Sequence, residues 1–290
     1  MSYDQHGGSM LKVAIPNKGS LSDSSITMLR EAGYRQRTDP RDLTLIDAEN
    51  EIEFYYLRPR DIALYVASGE LEVGITGRDL LIDSGAHAIE ALALDFGKST
   101  FRFAASADEQ WQESNIAGKR IATAYPGLVA QHLLSMQVAA EVVRLDGAVE
   151  SSIRLGVADL IADVVSTGGT LRQAGLRTFG NVILESEAVL IERPASSRRN
   201  EVETLLRRLQ GVVIARQYVL VDYDVRSDNL EAACALTPGI ESPTISPLQR
   251  AEWNAVRAMV RRTDINRIMD DLWAIGARGI LVTDIHACRL

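Results

Sequence analysis

The sequence predicts an α/β protein, with two lobes of alternating strands and helices followed by a separate small domain. Three observations predict it. Short apolar strands alternate with amphipathic helices in two successive runs, before and after residue 100, and such alternation builds mostly parallel sheets. A polar break, ERPASSRRNE at 192–201, ends the second run. The remainder, from about residue 217, follows the order β-α-β-β-α-β of the ferredoxin-like split βαβ.

The elements read as follows. LKVAIPN (11–17) alternates as a strand; SLSDSSITMLREAGY follows as a helix, with Ser22 or Asp23 as its cap and Gly33 as its stop. EIEFYYL is a strand, PRDIALYVASG a helix with Pro59 at its start and Gly69 at its end, LEVGITG a buried strand and RDLLIDSG a short helix. In the second run STFRFAAS, KRIATAY, AEVVRLDG and LIADVV read as strands; PGLVAQHLLSMQ and SSIRLGVA read as helices, and TLRQAG as a helix start. EVETLLRRLQGVV is an amphipathic helix leading into the last domain. There QYVLVDYD, GIESPTIS, WNAVRAMV and RGILVTDI are strands, with DNLEAACAL and INRIMDDLWAIG as helices.

Composition bounds the function. At 290 residues the chain holds two or three compact units, at roughly 100–200 residues each. A net charge of -8 argues against a nucleic-acid binder, which carries a basic stripe, yet leaves room for a local anion site. Cys234 and Cys288 form neither a metal spacing nor a disulfide framework, as in a reducing cytoplasm. No run approaches the roughly 20 apolar residues of a membrane span. The first nine residues lack the apolar core of a signal peptide and read as a disordered lead-in.

The chemistry centres on DVVSTGGTL, Asp163 to Leu171. A glycine-rich turn lets backbone N–H groups converge on an anion, and a helix starting there adds its unpaired N–H groups. Ser166, Thr167 and Thr170 add hydroxyls around Gly168 and Gly169, so a phosphate monoester is the natural guest. Asp163 would repel that phosphate in contact, and is better placed to accept from a sugar diol or to help hold a metal. Together they describe a ribose 5-phosphate; the plainer reading is a polar turn between strand and helix. GKST (97–100) imitates a P-loop, but the glycine that motif requires five positions earlier is Leu92, and a strand follows instead of a helix.

The wider stretch settles the choice. Glu150, Gly156, Ala158, Ile161, Asp163, Thr167, Gly168, Thr170 and Leu171 fall at the spacing of the ATP phosphoribosyltransferase signature, which the stretch resembles throughout. VAIPNKGSL (13–21), LRPRDIALYV (57–66), GITGRDLL (74–81) and RIATAYP (120–126) are similar to that family too, in the same order. Other phosphoribosyltransferases carry two adjacent acids before TGGT, whereas Ala162 precedes Asp163 here.

The resemblance implies a periplasmic-binding-protein-like (type II) core of two lobes, 10–99 with 190–216 and 100–189, and a regulatory domain over 217–290. It implies transfer of the 5-phosphoribosyl group of phosphoribosyl pyrophosphate to N1 of ATP, with Mg²⁺, as the first step of histidine biosynthesis. Asp163 to Thr170 would cradle the 5′-phosphate and ribose, with Glu150 or Asp146 also within reach; Asp163 and Glu150 are the candidate metal ligands. Lys18 and Arg58 would face the pyrophosphate, with Arg60 competing for the role. Asp79 would accept from the purine amino group, Tyr125 would stack and Leu80 would pack. N1 of adenine is already a neutral nucleophile, and the four histidines form no cluster, so positioning and charge stabilisation are expected to carry catalysis.

In the last domain Asp224, Thr244, Met259 and Gly279 would bind histidine as inhibitor; the alternative is a purely assembling domain. The same resemblance implies a cytoplasmic homo-hexamer built from dimers, with AMP or ADP as competitors. Two other functions compete: a sugar-phosphate sensor without chemistry, and a phosphoribosyltransferase for another base.

Overall fold

A computed structural model of the chain describes residues 10–166, 168–194 and 199–289. The expected lead-in over 1–9 therefore lies outside the described residues. The chain forms two compact units, and the division falls at Leu206 and Arg207, with Glu31–Gly33 counted in the second.

The first unit opens with β1 (Leu11–Pro16), α1 (Ser20–Glu31), β2 (Thr44–Asp47), β3 (Ile52–Leu57), α2 (Pro59–Ser68), β4 (Val73–Gly77), α3 (Arg78–Ser84) and β5 (Ile89–Ala93). It continues through β6 (Ser99–Ser106), β7 (Arg120–Thr123), α4 (Pro126–Met136), β8 (Glu141–Arg144), β9 (Leu160–Val165), α5 (Gly169–Gln173), β10 (Leu176–Ser186) and β11 (Ala188–Glu192).

Two sheets result. One has the order β2-β3-β1-β4-β11-β5, the other β10-β6-β9-β7-β8. β11 pairs antiparallel with both β4 and β5, so the chain returns to the first sheet after building the second. This is the two-lobed periplasmic-binding-protein-like arrangement. β1, β3 and β4 run parallel, as do β7, β8 and β9. The crossing segments β6, β10 and β11 run antiparallel to their neighbours, so the sheets are mixed where mostly parallel ones were expected.

Strand β3 alternates buried and half-buried positions, which places Phe54 and Tyr56 in the core. α2 starts on Pro59, whose missing N–H is no loss there, and stops at Gly69 in the left-handed conformation. In the second lobe Phe101, Phe103, Ile121, Leu160 and Ala162 fill one side of the sheet; Ala104, Ile161, Leu171 and Leu176 fill the other.

Three local readings change. α1 begins at Ser20, so Ser22 and Asp23 lie inside it and neither is its cap. SSIRLGVA is a 3₁₀ turn over Val149–Ser151 followed by further turns, because Gly156 at φ 70° breaks any helical run. β10 was not expected as a strand; Gly180 at φ 66° and the register shift between Phe179 and Leu184 interrupt its alternation.

Helix α6 (Arg199–Gln217) is continuous across the division, which falls inside it and not at 217. The second unit then runs β12 (Tyr218–Arg226), α7 (Leu230–Leu236), β13 (Thr244–Pro247), β14 (Trp253–Arg261), α8 (Ile265–Ala274) and β15 (Arg278–Asp284). Its sheet order, β13-β14-β12-β15, completes the ferredoxin-like pattern. Val221, Tyr223, Val256, Ala258 and Leu272 pack its core.

Candidate functional site

In the first unit, the ends of both sheets supply one cleft. β4 runs into α3 through Gly77, where a Cβ would collide with Asp79 Oδ1. Glycine there lets Asp79 fold back at the head of α3, where it is 7% exposed. Ser186, at the end of β10, fixes it twice: its hydroxyl donates to Asp79 Oδ1 at 3.0 Å, and the Asp79 N–H donates to Ser186 Oγ at 3.1 Å. Tyr125 precedes α4 and meets Phe101 edge-on at 5.2 Å between ring centroids. Burial pushes the Tyr125 phenol well above its ordinary pKa, and the charges of Asp79 and Asp163 push it further.

Lys18, Asp79, Leu80, Tyr125 and Ser166 line a single cavity of about 420 Å³. Sequence reasoning missed several of its other walls. Ser186 and Glu187 carried no signal, because they sit at a strand junction without a motif. Gly97, Lys98 and Ser99 also line it, so the stretch that imitates a P-loop does border the cleft, with Lys98 held by Asp95. Arg78 beside it is occupied by Glu90 at 2.7 Å and Glu187 at 3.4 Å.

Asp163 is half-buried in β9, and Val164 N–H donates to its Oδ1 at 2.7 Å. Burial raises its pKa; the neighbouring Glu150 and Asp79 raise it further, partly offset by the Val164 N–H. Gly168, at φ 68°, caps α5, and Gly169 and Thr170 are the first residues of that helix. Thr167 lies outside the described residues. Asp146 is exposed and pairs with Arg144 at 3.3 Å on the surface.

The two arginines of LRPRD separate clearly. Arg60 pairs with Asp83 at 2.6 Å and lies 5.0 Å from the Tyr125 ring centroid. Asp83 also accepts from Gly127 N–H at 2.8 Å and Leu128 N–H at 3.2 Å, tying α3 to the start of α4 across the lobes. Arg58 is exposed at the entry to α2, makes no ion pair among the described residues and does not line the cavity.

In the second unit, strand register puts Asp224, Thr244 and Met259 on one face of the sheet, opposite the core face of Val221 and Tyr223. Gly279, at φ 60° on β15, would bring a Cβ to 3.6 Å from Asp224 Oδ2.

Fold and site together define a two-lobed α/β protein whose cleft joins a buried carboxylate and an aromatic ring to the start of a glycine-rich turn. The sequence profile of ATP phosphoribosyltransferase matches residues 58–211, and that of the HisG C-terminal domain matches 215–287. ATP phosphoribosyltransferase from Salinispora tropica is 60% identical over 97% of this chain and 100% of its own; that from Streptomyces coelicolor is 58% identical at the same coverage. A solved ATP phosphoribosyl transferase (HisG:HisZ) complex from Thermotoga maritima superposes with a TM-score of 0.61 at 28% identity, over 70% of this chain and 98% of that one. The chain belongs to the ATP phosphoribosyltransferase family, in its long form with a C-terminal domain, and is a transferase acting at the first step of histidine biosynthesis. The sensor and other-base readings are not favoured. No helix among the described residues is long and apolar enough to cross a membrane.

Proposed function

We propose that the cleft binds adenine between Asp79, Leu80 and Tyr125, and phosphoribosyl pyrophosphate along Asp163 to Thr170. The observation that carries this reading is the single cavity shared by Lys18, Asp79, Tyr125 and Ser166. Asp79 accepts from the purine amino group while Ser186 holds it still. Ser166, Thr167, Gly168, Gly169 and Thr170 hold the 5′-phosphate, and Asp163 with Glu150 takes the ribose hydroxyls. N1 attacks C1 as the C1–O bond to pyrophosphate breaks, and Lys18 and Arg58 offset the charge growing on the leaving group. No general base is required, because N1 is already neutral and carries its lone pair.

Mg²⁺ fits this acid set. The ion takes one or two carboxylates and completes its shell with substrate phosphates and water. Glu150 and Asp163, which lie close enough for the Glu150 charge to act on the Asp163 carboxyl, would be the protein's share. When bound, the ion supplies further neutralisation of the pyrophosphate.

The C-terminal sheet binds histidine through Asp224, Thr244, Met259 and Gly279, and this inhibits the enzyme within a homo-hexamer built from dimers. AMP and ADP compete at the adenine place, and the enzyme works in the cytoplasm without nucleic-acid or membrane partners. Ultraviolet absorbance with ATP, phosphoribosyl pyrophosphate, Mg²⁺ and a pyrophosphatase tests the scheme. Turnover suppressed by histidine is the expected result; turnover untouched by histidine removes the effector role.

A further inference from the structure

Helix α4 begins without a cap of its own. The Tyr125 side chain, just before it, caps nothing, and Pro126, its first residue, has no N–H. The next two N–H groups, of Gly127 and Leu128, both donate to Asp83 Oδ1, at 2.8 and 3.2 Å. The helix's own pattern starts only at Val129, whose N–H reaches Tyr125 O at 3.1 Å. A carboxylate suits this place, because it meets unpaired donors and the positive end of the helix dipole. Asp83, however, lies on α3, which follows β4 of the first sheet, whereas α4 follows β7 of the second. The cap is supplied by the other lobe.

Three further observations show that the contact is built in. A Cβ on Gly127 would come within 2.2 Å of Asp83 O, a backbone atom that cannot swing aside. Gly127 is not among the glycines at positive φ, so the close approach of α3 and α4 is what requires it. Ile82, beside Asp83, packs against the core of the second lobe. Asp83 Oδ2 takes Arg60 Nη1 at 2.6 Å, with the carboxylate side chain only 7% exposed, and the same guanidinium stands 5.0 Å from the Tyr125 ring centroid.

The fastening adjoins the adenine place without entering it. α3 carries Asp79 and Leu80 at its head, one turn before Asp83. Tyr125 leads directly into α4. Asp79, Leu80 and Tyr125 line the cavity from opposite lobes, whereas Arg60, Asp83 and Gly127 do not line it.

We propose that Asp83 is a positioning residue for nucleotide binding. By capping α4 from the other lobe it sets the gap between Asp79 with Leu80 and the Tyr125 ring, and keeps that slot formed before the nucleotide arrives. The inference rests on adenine lying at Asp79 and Tyr125. Arg60 serves as the counter-charge that holds the Asp83 carboxylate in place.

Calorimetric titration of the full chain in Mg²⁺ tests it, with AMP, ATP and phosphoribosyl pyrophosphate as ligands. Asp83→Ala should weaken AMP and ATP about fivefold, the equivalent of one lost cap, and leave phosphoribosyl pyrophosphate binding as before. Asp83→Asn keeps an oxygen for both N–H groups and should retain most of the affinity. Gly127→Ala, whose Cβ must drive α4 away from Asp83 O, should reproduce the nucleotide-specific loss, and it carries the test if Asp83→Ala does not fold. In a Tyr125→Ala background Asp83→Ala should cost nothing further, because the ring it places is gone. Unchanged AMP and ATP affinity overturns the proposal. So does an equal loss for phosphoribosyl pyrophosphate, which would make the contact a general fastening of the lobes, or a loss that adds in full to that of Tyr125→Ala. Tyr125→Ala alone separates the two readings. If it weakens AMP while Asp83→Ala does not, the adenine placement stands and the positioning role falls. If it leaves AMP unchanged, the adenine placement fails and the positioning role fails with it.

Discussion

Ser186→Ala is the most informative substitution in the cleft. Ser186 is 5% exposed and holds Asp79 through two hydrogen bonds, one donated to the carboxylate and one accepted from the Asp79 N–H. A neutral hydrogen bond contributes about 1 kcal/mol, and one to a charged group about 1.5–3 kcal/mol. The sum overstates the loss, because Ser186 lines the cavity and water can re-satisfy part of what is removed. About 2 kcal/mol remains, or roughly 4–8 °C in the melting temperature of a unit this size. Calorimetric melting reads that loss, and initial rates read its consequence. A looser Asp79 should raise KM for ATP several-fold while KM for phosphoribosyl pyrophosphate stays put. A variant that melts with the wild type and keeps its KM for ATP would refute both the hold on Asp79 and the role proposed for that carboxylate.

Asp163→Asn should lower turnover yet stabilise the fold at neutral pH. Burial, with Glu150 and Asp79 nearby, raises the Asp163 pKa in the folded state, so its ionised form opposes folding above that raised value. Urea midpoints of variant and wild type should converge as pH falls through the raised value toward the ordinary aspartate value of about 3.9; a constant gap would contradict the assignment. Thr170→Val should weaken phosphoribosyl pyrophosphate binding in a direct titration and leave ATP alone, and unchanged affinity for the sugar phosphate would sink the cradle. Asp224→Ala should abolish histidine inhibition while sparing the uninhibited rate, since Asp224 is the charged group proposed to hold the effector on the sheet face opposite the core of the second unit; retained inhibition would remove that sheet face as the effector site.

Legibility in the sequence followed local regularity. β3, α2 and the β-α-β-β-α-β order of the second unit were readable because their periodicity is intact and Pro59 and Gly69 mark the ends of α2. β2 and β5 were not, since they are short edge strands with exposed faces that carry little pattern. β10 was obscured by its own irregularity at Gly180. In the site, residues within motifs were found: Lys18, Asp79, Tyr125 and Ser166 share one cavity. Ser186 and Glu187 were not, because their position follows from the chain's return to the first sheet, a long-range event with no local mark. Arg58 and Arg60 differ only in three dimensions, where Asp83 engages Arg60 at 2.6 Å.

The charge layout explains why binding and chemistry should be one problem here. Burial, with Glu150 and Asp79 adding to it, makes Asp163 resist ionisation. The nearest cations are mostly committed: Arg78 to Glu90 and Glu187, Lys98 to Asp95, Arg60 to Asp83. Two polyanionic substrates must nevertheless enter. In the proposed mechanism their charge is met at the edges, by Lys18 and Arg58 on the leaving group and by backbone N–H groups at the glycine-rich turn. The acids in the middle then face only neutral groups, the purine amino and the ribose hydroxyls, or a Mg²⁺ ion. A cleft of this kind disfavours a lone inorganic anion at its centre and favours a ligand that carries phosphate at its ends and donors between, which is the shape of both substrates.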